Sequence, residues 1–308
     1  MRVLGFMCIT NPEKGNYPYL EAIESHLPFL EKLIIVDGGS TDGSVEKIMA
    51  KFKTEIENAK IEIPILPWAQ GKCNWTWEEF SKHWNFGLNI CKELGADWVC
   101  AAECDHIFHE DDAKQVIEKL EEKGKGKMVG WVDKLVNSVW WKWNSKSKFA
   151  YFLNVKEFPN LGYGMDRTWK AGQDLANPIQ IVTQKDEFGI PEGYMVTHEM
   201  GKNLGLYFWN YDKTFKTKQH ILRERESANW AWNNCCLVKL GIMPSWADEG
   251  VLEDVVNRMK SRFNNSLVVK KDISLHPKVM KKKLENLSSD MLGYNLFGEI
   301  NENISSSR

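Results

Sequence analysis

The stretch Leu33-Ile34-Ile35-Val36-Asp37-Gly38-Gly39-Ser40-Thr41-Asp42-Gly43-Ser44 decides the fold. Its apolar run predicts a strand, its Asp-Gly-Gly a tight turn, and the spacing of Val45, Ile48, Met49 and Phe52 a helix that follows. A strand buried on both faces belongs in a parallel sheet, and such sheets place ligands beyond the carboxyl ends of their strands. Asp37 stands at that end. Its carboxylate can accept hydrogen bonds from a base or ribose edge, while Gly38 and Gly39 permit close backbone approach and positive φ.

A second stretch answers the first. Asp97-Trp98-Val99-Cys100-Ala101-Ala102 reads as another short apolar strand, and it runs into Glu103-Cys104-Asp105-His106. Along an extended segment, alternation puts Glu103 and Asp105 on one side and Cys104 on the other. Together the two stretches resemble the family 2 glycosyltransferases of the GT-A fold. In that family a strand ending in V-D-D/G-G-S-T-D-G-S binds the nucleotide, and a later strand ends in an acidic D-x-D motif, often D-A-D-H, that holds a divalent metal. Here the first motif is Val36 to Ser44, and the second has Glu103 in place of the first Asp. The likeness covers residues 2 to 130 well and the remainder poorly.

What the resemblance implies can be set residue by residue. Asp37, Gly39, Ser40 and Asp42 would contact the nucleotide, with Thr10 and Glu13 facing the base from the loop after the first strand. Glu103 would meet the ribose or a metal-bound water, and Asp105 would ligate Mn²⁺ or Mg²⁺ directly. A third ligand often comes from the C-terminal part, where His198, His220 and His276 are candidates and His276, in a loop context, ranks ahead. An inverting mechanism needs a base at the acceptor end. Glu199 falls there, with Asp186, Glu187 and Asp212 as rivals. The family's Arg-Asn-x-Gly element near the pyrophosphate appears as Trp84-Asn85-Phe86-Gly87, so the Arg is missing, and Lys72, Lys82 or His83 would have to replace it.

The order of elements supports an α/β chain. Strands are predicted over Val3 to Ile9, around Ile35, over Ile61 to Leu66 with Pro64 marking an edge, over Asp97 to Ala102 and over Met128 to Val132. Helices lie between them, which gives a mostly parallel, Rossmann-like sheet with right-handed crossovers. Two of these helices have readable starts. Thr76 and Glu79 match a capping box, and Glu110-Asp111-Asp112 suits a helix N-terminus, with Asp112 and Gln115 as the caps.

From Val139 the composition turns aromatic and basic, in Trp140-Trp141-Lys142-Trp143 and in Tyr151, Phe152 and Phe158. Such rings either stack on sugars or bases or fill a core. Short strands over Met195 to Thr197 and Leu206 to Trp209 precede helical patterns over Phe215 to Leu240 and Trp246 to Phe263. The expected division is a GT-A domain over 1–240, with a nucleotide-binding half (1–130) and a mixed acceptor-side half (131–240), then a helical extension over 241–308.

Composition bounds the rest. The 308 residues are 43% hydrophobic and 27% charged, the composition of a soluble globular protein. A formal net charge of −2 gives no overall attraction to nucleic acid or acidic membranes. Seven cysteines without a CxxC pair argue against a zinc ribbon or a disulfide framework and for a reducing, cytoplasmic setting. No stretch has the length of uninterrupted apolar residues that spans a membrane.

The activity expected from these features is metal-dependent, inverting transfer of a sugar from a nucleoside-diphosphate sugar to an acceptor hydroxyl. That acceptor could be a glycan, a protein or a hydroxylated base in DNA. A nucleotidyltransferase that makes sugar nucleotides is the second enzymatic reading, although Thr10-Asn11-Pro12-Glu13 is not a glycine-rich phosphate loop. A non-catalytic module for glycans or nucleic acid is the third, resting on 14 tryptophans and a lysine-rich tail.

Overall fold

A computed structural model of the chain describes residues 1–68, 77–136, 148–165, 179–185, 191–194, 201–212, 214–217, 219–220, 276–288 and 290–291. In the first half, strands and helices alternate as β1 (Val3–Ile9), α1 (Tyr19–His26), β2 (Lys32–Asp37), α2 (Ser44–Lys51), α3 (Lys53–Glu57), β3 (Ile61–Glu62), α4 (Trp77–Glu93), β4 (Trp98–Ala102), β5 (His106–Phe108) and α5 (Glu110–Lys123). Strands then dominate: β6 (Val129–Val136), β7 (Lys148–Asn154), β8 (Gly162–Met165), β9 (Ile179–Lys185), β10 (Pro191–Tyr194) and β11 (Gly201–Asn210). A final helix, α6 (Lys278–Glu285), closes the described chain.

The fold is mixed α/β, as the sequence predicts. Eight strands form one sheet in the order β3-β2-β1-β4-β7-β6-β11-β5, and β8, β9 and β10 form a small antiparallel sheet. In the large sheet β1, β2, β3 and β4 are mutually parallel. Antiparallel β7 is inserted between β4 and β6, so β6 and its parallel partner β11 keep the direction of the first four strands. Antiparallel β5 closes the far edge. Six strands thus deliver their carboxyl ends to one rim.

Strand alternation explains why this sheet is stable. Val3, Met7, Ile9, Leu33 and Ile35 point into one core with α1 and α5, while Leu4, Phe6, Ile34 and Val36 point into a second core with α4. A strand buried on both faces has no polar side, and the run Leu33 to Val36 has none. Each fully buried aliphatic or aromatic side chain contributes about 1.5–3 kcal/mol. Tyr151 and Phe152 are fully buried, so these two rings fill the core and are not exposed platforms.

Two expectations need correction. The predicted strand Ile61 to Leu66 pairs regularly only over Ile61–Glu62, because Pro64 has no N–H to donate; a single bridge, Asp37 to Ile65, resumes the pairing. The cap of α5 is His109, whose ring accepts the Asp111 N–H at 3.2 Å, and Gln115 donates to the Asp111 carbonyl instead of capping. Thr76, the aromatic stretch Trp140 to Trp143, the predicted strand at Met195 to Thr197, most of the first C-terminal helical pattern and all of the second lie outside the described residues. Met280 and Leu284 of α6 join the core shared with α1, and Lys283 pairs with Glu21 at 3.4 Å.

Candidate active site

The rim of the sheet gathers the polar residues picked out by the sequence. Register fixes their spacing: Ile9 of β1 lies opposite Asp37 of β2, and Met7 lies opposite Ala102 of β4. Asp37 and the Glu103–Asp105 turn therefore flank the end of β1 from two sides. They do not end adjacent strands, since β1 lies between them, and two strand spacings separate their backbones by about 10 Å.

The loop after β2 is held shut by its own polar groups. The Asp37 carboxylate accepts the Ser40 N–H at 3.0 and 3.1 Å, Ser40 Oγ accepts the Asn11 N–H at 2.9 Å, and Asn11 Oδ1 accepts the Thr41 N–H at 2.8 Å. Asp42 accepts the N–H groups of Lys14 at 2.8 Å and Ser44 at 3.1 Å, which ties the loops after β1 and β2 together and opens α2. Burial acts upward on the Asp42 carboxyl, but the bonds from Ser44 and Lys14 outweigh it and hold it below its usual range. Gly39 and Gly43 adopt φ of +87° and +81°, where a β-carbon is strained. Gly38 is needed for another reason: an added β-carbon would meet Thr10 Oγ1 at 2.0 Å.

Glu13 sits in the same loop region and is already engaged, accepting from Lys47 Nζ at 2.6 Å and from the Tyr19 hydroxyl at 2.9 Å. Burial raises its carboxyl, and the Lys47 and Tyr19 bonds more than reverse that. Thr10 is exposed at the mouth of the loop, its hydroxyl turned back to the Ile9 carbonyl at 2.8 Å.

After β4 the chain makes a turn, not the extended segment that alternation assumed. The His106 N–H bonds the Glu103 carbonyl at 3.1 Å, which folds the four residues together. His106 Nε2 then lies 3.2 Å from Glu103 Oε2 and 3.8 Å from Asp105 Oδ1. One donor atom from each of Glu103, Asp105 and His106 falls within 4.8 Å of the others, in a setting where Asp105 and His106 are buried. His106 was absent from the sequence candidates for a ligand. Its position directly after Asp105 was the available signal, since a tight turn brings residue i+3 back to residue i.

The turn is strapped to the end of β11. Asn210 Nδ2 donates to Asp105 Oδ2 at 3.4 Å, and the Tyr211 N–H donates to the Asp105 carbonyl at 3.0 Å. Cys104 turns inward, where burial pushes its thiol well up and the Asp105 and Glu103 carboxylates add to the effect. Asp212 accepts from Lys216 Nζ at 2.7 Å, and Lys216 is fully buried with its ammonium 3.8 Å from the centre of the Tyr17 ring. Sequence gave no hint of Lys216, because burial of a lysine is decided by tertiary contacts.

Other candidates are placed elsewhere. His276 is buried with Nδ1 2.7 Å from the Tyr211 hydroxyl and its ring 4.6 Å from that of Trp209, and it is not part of the Glu103–Asp105–His106 cluster. His220 Nδ1 accepts the Thr217 N–H at 3.2 Å. Trp84 is core, edge-on to Phe6 at 5.4 Å and to Tyr163 at 4.8 Å. Lys82 pairs with Glu79 at 3.5 Å, while His83 bridges the Glu79 and Leu66 carbonyls at 2.7 Å each and joins α4 to the loop after β3. Glu199, Asp186, Glu187, His198 and Lys72 lie outside the described residues.

No family model matches the chain, and no curated protein matches it. Among solved structures, S. aureus TarS in complex with UDP is 13% identical over 94% of this chain and 80% of that one, with a TM-score of 0.40. A longer TarS chain is 12% identical over 87% of this chain at a TM-score of 0.40, and only 44% of its own length is spanned. The mannosyltransferase of Pyrobaculum calidifontis with GDP-Man and Mn²⁺ is 15% identical over 44% of this chain and 35% of that one, at 0.30. What the rim can do chemically follows from its own side chains. No helix among the described residues is long and apolar enough to cross a membrane.

Proposed function

We propose that the chain is a divalent-metal-dependent, inverting glycosyltransferase that moves a sugar from a nucleoside-diphosphate sugar to an acceptor hydroxyl. The observation that carries this reading is the shared rim: Asp37 on one side of the end of β1, Glu103, Asp105 and His106 on the other. Two carboxylates and an imidazole within 4.8 Å form a donor set suited to a divalent cation. Oxygen donors accept Mg²⁺ or Mn²⁺, and the nitrogen favours Mn²⁺. When bound, the cation supplies the positive charge that a departing nucleoside diphosphate needs.

The chain's own residues do the rest. Asp37 and the ordered loop Gly38 to Asp42 receive the nucleoside, with Thr10 and Glu13 facing it from the neighbouring loop. Asp105 and His106 hold the cation, and Glu103 joins them or meets the ribose. Glu199 is the proposed base that takes the acceptor proton as the hydroxyl attacks. Asp212, its rival, is already committed to Lys216. His276 serves as a support behind Tyr211 in this scheme and not as a ligand.

The test is hydrolysis of a panel of sugar nucleotides with and without Mn²⁺. Wild type is expected to turn over at least one donor in a Mn²⁺-dependent way, and Asp105→Ala to lose roughly 100-fold or more in kcat, since metal stabilisation of the leaving charge is worth several kcal/mol. Equal turnover by Asp105→Ala sinks the proposal.

A further inference from the structure

The register of the large sheet sets an asparagine amide against Asp105. β11 pairs antiparallel with β5 so that Asn210 lies opposite His106, and the Tyr211 N–H carries the pairing one residue further, to the Asp105 carbonyl at 3.0 Å. The buried side chain of Asn210 sits between two polar groups: its Oδ1 accepts the Asp212 N–H at 3.1 Å, and its Nδ2 donates to Asp105 Oδ2 at 3.4 Å. A backbone N–H only donates, so it draws the amide oxygen to itself and leaves the NH2 group facing the carboxylate. Asp212 is tethered in turn, since its carboxylate accepts Lys216 Nζ at 2.7 Å and Lys216 is buried over the Tyr17 ring. With Oδ2 turned to Asn210, Asp105 presents Oδ1 to His106, 3.8 Å from Nε2.

We propose that Asn210 is a positioning residue for the cation site: by holding Oδ2 it fixes the Asp105 carboxylate with Oδ1 toward His106. This rests on the reading of Glu103, Asp105 and His106 as the site of a divalent cation. Ligands held in place by outer partners bind metal more tightly than ligands that must be ordered on binding. Leucine at 210 has the branched shape of asparagine and makes neither hydrogen bond. Serine can still accept the Asp212 N–H, but its hydroxyl stops short of Asp105. The two substitutions therefore separate the hold on Asp105 from the turn that follows β11.

The experiment uses the full chain and Mn²⁺ alone, with binding followed by loss of the electron paramagnetic resonance signal of the free ion. Asn210→Leu and Asn210→Ser are each expected to raise the Kd for Mn²⁺ roughly 10-fold, the lower end of what outer partners contribute because the bond to Asp105 is long. Near-ultraviolet circular dichroism should remain that of a folded protein, and Asn210→Ser, which keeps the turn, serves if Asn210→Leu does not fold. Asn203→Leu is the matched control. Near the opposite end of β11, Asn203 also accepts the N–H two residues on, from Gly205 at 2.8 Å, and donates to a carboxylate, that of Asp133, at 3.2 Å. Its loss should leave the Mn²⁺ affinity at that of wild type. Wild-type affinity in a folded Asn210→Leu or Asn210→Ser protein overturns the positioning role, as does an equal loss in Asn203→Leu. If wild type takes up no Mn²⁺, or Asp105→Ala takes it up as wild type does, the cation site itself is overturned and the positioning role with it.

Discussion

Individual side chains at the rim divide by whether their polar atoms face the opening or each other. Ser40 and Asp42 spend their oxygens on backbone N–H groups of the two neighbouring loops, so their sequence signature records a rigid loop as much as a ligand contact. His26 is the residue whose ionisation the fold changes most legibly. Its folded pKa of about 4 lies below the ordinary 6.5 because the ring is buried, so between those values the unfolded chain binds the extra proton and stability falls as pH falls. The window runs from about 6.5 down to about 4, and the loss across it is roughly 3 kcal/mol at 1.36 kcal/mol per pKa unit. In urea titrations at several pH values, His26→Phe should show a shallower decline than wild type over that window. Parallel declines would mean that His26 protonates alike in both states.

Among the elements, α4 shows how one face can fasten two sheets. Trp84 and Leu88 bury against the large sheet, and an added β-carbon at Gly87 would meet the Phe6 side chain at 2.8 Å, so the helix packs almost on the strand. On the same helix Asn85 reaches the small sheet: its Oδ1 accepts the Tyr163 N–H and its Nδ2 donates to the Tyr163 carbonyl, both at 2.7 Å. The side-chain amide thus stands in for a strand neighbour at β8. Asn85→Ala leaves both backbone groups unmatched and should cost roughly 1–3 kcal/mol. Amide exchange at Tyr163 should accelerate before that of β1, and unchanged protection there would rule the clamp out. The Asn85 amide is thereby engaged with the fold itself.

Taken whole, the large sheet is mixed, six of its eight strands run in one direction, and straps from late in the chain cross their shared carboxyl rim. Asn210, the last residue of β11, and Tyr211 just beyond it reach Asp105, and Asn16 after β1 donates to the carbonyl of Phe215, 199 residues further on, so the rim joins segments far apart in the chain. Anything bound there must stabilise the entire fold. At a free Mn²⁺ concentration 100 times its Kd, the gain should be about 2.7 kcal/mol, visible as a rise of a few degrees in thermal unfolding, and Asp105→Asn should abolish it. The absence of any shift in wild type would count against the cation site. The sequence by itself determined the parallel strands, because Val3 to Ile9, Leu33 to Val36 and Trp98 to Ala102 are apolar on both faces, and it determined which carboxylates end them. Local pattern carries that information directly, since period and turn chemistry act over a few residues. Tertiary structure alone decided that β1 separates Asp37 from Asp105, that His106 turns back toward Glu103, and that Tyr151, His26 and Lys216 lie buried around them. Those outcomes depend on strand order and on contacts across tens to hundreds of residues, and no local periodicity encodes which distant groups a fold will bring together.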